Sequence, residues 1–62
     1  MSKDVEIEVE IRAETPKALL VYNGTTEAWV PKSQIRDQCE NEFGTITSIF
    51  MTEWQANEKG LL

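Results

Sequence analysis

From Val5 to Glu14 apolar and charged residues alternate without interruption: Val5, Ile7, Val9, Ile11 and Ala13 against Glu6, Glu8, Glu10, Arg12 and Glu14. A period of two places one set on each face of an extended strand, whereas a helix would scatter the apolar set around its axis. The β-branched content points the same way. The segment therefore predicts a strand with one face on a core and one in water. Pro16 ends it, because proline removes a ladder donor and restricts Thr15 before it.

The rest of the chain predicts more short strands. Lys17 to Asn23 reads as a second strand, with Ala18, Leu20 and Tyr22 on one face and Leu19 and Val21 on the other. Asn23-Gly24 predicts a tight hairpin, since both residues tolerate positive φ. Glu27 to Val30 returns as a third strand and stops at Pro31. Ser33 to Glu40 is too poor in apolar residues to separate a short strand from an irregular turn. Phe43-Gly44 marks a turn, and Thr45 to Met51 predicts the last strand. Thr52-Glu53-Trp54-Gln55 fits a capping box, opening a helix of about two turns that ends at Gly60. So short a helix must pack to persist, through Trp54 and Leu61. The expected fold is mainly β: about five short antiparallel strands in a rolled sheet or small open barrel, with a short C-terminal helix.

Sixty-two residues allow one small domain with a thin stability margin. The longest apolar run in its first half, Ala18 to Tyr22, is too short to span a bilayer, and no basic leader precedes it. A single cysteine, Cys39, suits a reducing compartment, so a cytoplasmic protein, that of a bacterial host, is expected. Eleven acidic residues against six basic ones give a charge of −5, the wrong sign for general attraction to phosphates or anionic lipid.

Catalysis is poorly supplied. There is no histidine to act as a base near neutral pH, and Ser-His or Cys-His pairing is impossible. One cysteine without histidine cannot build a four-ligand zinc site, and no glycine-rich phosphate loop is present. Cys39, with Arg36 three residues away, is a candidate reactive thiol, although a buried or inert cysteine explains it as well. Asn23-Gly24-Thr25 matches a glycosylation acceptor, but turn geometry already accounts for Asn-Gly. We expect no enzyme and no cofactor or metal.

Two features suggest binding. Asp4, Glu6, Glu8, Glu10 and Glu14 form an acidic ladder whose same-face members repeat at roughly 6.6–6.8 Å, a row suited to a basic groove on a partner. The alternative is a solvated face that guards an edge strand. The second feature is Trp29, Lys32, Gln34, Arg36 and Trp54, aromatics near cations as in single-strand nucleic-acid binders and protein hot spots. Trp29 and Trp54 serve equally as the largest core pieces of a tiny domain.

Lys17-Ala18-x-Leu20-Val21, then Trp29-x-Pro31-Lys32-Ser33-Gln34-Ile35, and finally Glu53-Trp54 with Lys59-Gly60-Leu61 resemble a family of small bacteriophage and prophage proteins. The resemblance spans Lys17 to Leu61. Its pattern is departed from at Met51-Thr52, where an apolar-proline pair is expected, and in the polar spacer Arg36 to Thr45. The resemblance implies a mobile-element setting rather than an activity.

These readings lead to a non-enzymatic protein-binding module, an acidic inhibitor of a host defence or nucleic-acid enzyme. Glu6, Glu8 and Glu10 are its electrostatic contacts and Trp29 its apolar anchor, the partner being a host or phage protein. The second reading is a small barrel binding single-stranded nucleic acid through Trp29, Lys32, Arg36 and Trp54. A third is a self-associating module that dimerises through a strand edge.

Overall fold

The computed structural model describes residues 3–62. Six strands form two antiparallel three-stranded sheets. Strands β1 (Asp4–Glu8), β6 (Ile46–Thr52) and β5 (Asp37–Glu40) make one sheet in the order β1-β6-β5. Strands β2 (Glu10–Glu14), β3 (Ala18–Tyr22) and β4 (Glu27–Pro31) make the other in the order β2-β3-β4. The sheets do not join into a closed barrel.

The long alternating segment is two strands rather than one. It changes sheet after Val9, whose amide still follows the β1-β6 register and donates to Thr47 O at 3.1 Å, whereas Glu10 already pairs with Tyr22 of β3. Alternation survives the change, because Ile7 and Val9 are buried and Ile11 packs against the same core. It fails one step later. A bulge between Ile11 and Ala13 makes Arg12 an extra residue and leaves Ala13 exposed, opposite Leu20. Ala13 is thus not the core residue its spacing predicts.

Between the sheets lie Val5, Ile7, Ile49 and Met51 from one side and Ile11, Leu19, Val21, Ala28 and Val30 from the other. Val21, Val30, Ile49 and Met51 have no exposed surface. The face of β3 carrying Leu19 and Val21 is therefore inward, and that carrying Ala18, Leu20 and Tyr22 outward.

At the hairpin only Gly24 takes positive φ, at +100°, the first loop position that glycine favours in type II′ turns. Asn23 acts through its side chain instead, accepting from the amides of Thr25 and Thr26. The undecided segment contains both alternatives: a 3-10 turn over Lys32–Gln34 and then strand β5. The turn near Phe43 is held by Asn41 Oδ1, which accepts from the amides of Phe43 and Thr45.

Helix α1 (Glu53–Glu58) is capped by Thr52, whose hydroxyl accepts from the Gln55 amide at 3.3 Å. Its C-terminus closes with Gly60 N donating to Asn57 O and Leu61 N to Ala56 O, a Schellman arrangement around Gly60 at φ +74°. Ala56 and Leu61 enter the core, and Asn23 Nδ2 ties Leu61 O to the hairpin at 3.2 Å. Trp54 does not pack inward as the sequence suggests; it is 62% exposed.

Candidate functional site

The outer face of the β1-β6-β5 sheet follows from its register. Asp4 stands opposite Thr52, Glu6 opposite Phe50 and Glu8 opposite Ser48. On the far side of β6, Asp37 stands opposite Phe50 and Cys39 opposite Ser48. Two transverse rows result, Glu6-Phe50-Asp37 and Glu8-Ser48-Cys39. Neighbouring strands lie about 4.8 Å apart, so the outer strands of each row are separated by about 10 Å. Carboxylates thus line both flanks of a strip whose centre is the half-buried Phe50 and the buried Ser48.

Glu6 is the organising member. Its Oε2 accepts from Ser48 Oγ at 2.7 Å and from the Cys39 thiol at 3.8 Å. Ser48 is only 4% exposed, so this bond satisfies the one buried polar side chain in the core region of the described residues. Cys39 itself is exposed, and Arg36 does not serve it as a thiolate partner. Arg36 Nε lies 3.8 Å from Asp4 Oδ2, at the end of the strip.

The remaining ladder residues belong to the other sheet. Glu10 pairs with Arg12 Nε at 3.0 Å, and Glu14 with Lys32. The ladder is therefore acidic and unneutralised over Glu6 and Glu8, and paired beyond the bend.

Trp29 projects from the outer face of the β2-β3-β4 sheet, 46% exposed and directly opposite Leu20. Ala13 completes that row on β2. Above it Tyr22 carries the Arg12 guanidinium over its ring, 4.5 Å from the centroid. Since both outer faces look away from one shared core, Trp29 and the pair Glu6 and Glu8 do not form one continuous patch.

The four residues of the nucleic-acid reading are not assembled either. Lys32 and Arg36 border one cleft of about 410 Å³, floored by Leu19, Ile35 and Ile46. Glu14 and Asp37 border it too, so its rim is balanced in charge, and neither tryptophan reaches it. Trp54 stands apart on α1. Asn23, the glycosylation candidate, has its side-chain nitrogen engaged by Leu61 O. Among the described residues no cluster of His, Cys, Asp and Glu has the geometry to hold a metal ion, and no helix is long and apolar enough to cross a membrane.

The sequence misses Ser48 and Asp37 as members of the acidic face. Asp37 lay in the segment where strand and turn were equally supported. Ser48 carried one signal, a polar residue amid Ile46, Ile49 and Met51. No family model, curated protein or solved structure matches the chain.

Proposed function

We propose that the chain is a non-catalytic binding module that engages a basic surface of another protein through the outer face of the β1-β6-β5 sheet. The observation behind this reading is the two-sided strip in which Asp4, Glu6 and Glu8 on β1 and Asp37 on β5 flank Phe50. A regular row of carboxylates repeating at about 6.8 Å resembles the regular row of negative charge that a nucleic-acid backbone presents to its protein partners. Grooves built for nucleic acid are therefore the class of partner surface this face fits best. An inhibitor of a host defence or nucleic-acid enzyme, in the phage setting implied by the resemblance, is the specific role we propose.

Charge reversal tests it, with the residues chosen to spare the fold. Glu6 holds buried Ser48, so its reversal confounds binding with stability. Glu8 makes no side-chain hydrogen bond or ion pair among the described residues, and Asp37 only a local one to the Gln38 amide. In competition assays the wild-type protein is expected to displace duplex DNA from bacterial nucleases and DNA-binding proteins with basic grooves. Displacement should weaken as salt rises. The Glu8→Lys, Asp37→Lys variant should lose it while keeping the far-UV circular dichroism of the wild type. Displacement that survives both reversals removes the acidic strip from the reading.

A further inference from the structure

We infer that the free edge of β4 is a self-pairing edge, joining two copies of this chain about a two-fold axis at Trp29. This is independent of the acidic strip and concerns the other sheet. The β3-β4 register fixes which backbone groups point outward. Asn23 N donates to Thr26 O at one end of the ladder, and Lys32 N to Lys17 O at the other. Both are hydrogen-bonded pairs, and antiparallel pairs alternate between bonded and non-bonded positions. Counting in from either end makes Val21-Ala28 and Leu19-Val30 bonded pairs. Tyr22-Glu27, Leu20-Trp29 and Ala18-Pro31 are the non-bonded ones. The amides and carbonyls of Glu27 and Trp29 therefore face away from β3. No strand pairs with β4 on that side, and neither residue has another backbone hydrogen bond among the described residues.

The four free edges are not equally guarded. That of β1 alternates with Asp4, Glu6 and Glu8, that of β2 is broken by the Arg12 bulge, and that of β5 is bounded by Asp37 and Glu40. Charge and bulges are the devices that keep edges from pairing. On β4 the only guards stand at the ends, Glu27 and Pro31, and the centre is Ala28-Trp29-Val30.

Those ends are self-complementary. In an antiparallel pairing centred on Trp29, the midpoint of β4, the two Trp29 residues exchange both of their backbone bonds. Each Glu27 amide then meets the carbonyl of Pro31 in the other copy, and the donor that proline lacks falls at the rim, where water reaches the unmatched carbonyl. The two Glu27 carboxylates lie at opposite ends, away from each other. The outer face becomes one row of Ala13, Leu20 and Trp29 continued through the axis, with the indoles as a cross-strand aromatic pair. One short edge is smaller than the roughly 800 Å² per partner of stable complexes, so the dimer is reversible.

Sedimentation analysis between about 10 μM and 1 mM, the range of affinity such an interface supports, is expected to show the mass rising from 7.1 kDa toward twice that value. Hydrogen exchange at the Trp29 amide should slow over the same range. Trp29→Lys should weaken association at least about tenfold, since lysine at an edge centre opposes pairing. Glu27→Pro removes an outward amide without touching the β3 ladder, at a strand-first position proline tolerates, and should weaken association too. A monomer at every concentration overturns self-pairing and leaves this edge to an extended segment of another protein. So does a dimer that tolerates both substitutions, or one in which exchange at Trp29 is independent of concentration.

Discussion

Met51 is fully buried between the sheets, whereas Trp54, three residues on, leaves most of its surface in water. A domain of this length has about 3–9 kcal/mol of total stability. Met51→Ala removes a buried side chain from a core too small to collapse around the gap, at a cost of about 2–5 kcal/mol. The variant is expected to be largely unfolded or to lose most of its urea midpoint. Trp54→Ala should move that midpoint little, by about 0.5 kcal/mol or less, as for other exposed positions. An equal loss from both would mean that Trp54 is packed. The sequence suggested such packing because Trp54 is the largest apolar residue of the helix. Its inward residue is Ala56, and two helical steps turn the side chain by roughly 200°. Both cannot face the core. Size was legible at this position, but the winning face was set by the Thr52 cap and by Leu61 beyond Gly60.

At the level of elements, caps and turns were the most legible features because each rests on chemistry within four or five residues. Thr52, Gly24, Gly44 and Gly60 all stand where local signals placed a cap or turn. Gly60 offers the cleanest check. A Cβ there would meet only Thr26 Cγ2 at an ordinary 3.6 Å, so space is no obstacle and φ of +74° is. Gly60→Ala should therefore cost about 1 kcal/mol, the penalty of an L-residue in the left-handed region. In a domain of this size that is a fall of about 4–8 °C in Tm by differential scanning calorimetry. An unchanged Tm would show that the Schellman closure does not hold the helix. The bend at Val9 was not legible. Residues on either side of it keep the same inward parity, so periodicity reads one strand although the partners change from β6 to β3. The Arg12 bulge was hidden for a related reason: an extra residue in one strand is visible only against its partner.

For the molecule as a whole, the arrangement separates two surfaces that the sequence treated as one contact. Mainly-β architecture and the inward set Ile7, Val9 and Ile11 could be read from alternation, but not which outer faces share a plane, because that depends on long-range pairing. Glu8 and Asp37 lie on the outside of one sheet and Trp29 on the outside of the other, with Val21, Val30, Ile49 and Met51 between. Sites without common partners act independently. Trp29→Lys is therefore expected to weaken self-association at least about tenfold while leaving DNA displacement intact, and Glu8→Lys with Asp37→Lys to abolish displacement while leaving self-association intact. Combining all three should change stability by the sum of the separate effects, within about 0.5 kcal/mol in urea titrations. A larger departure, or loss of both activities from either set, would mean that the sheets transmit strain through this small core. In that case the chain would have a single interface, and the separation of its acidic and aromatic faces would have no functional meaning.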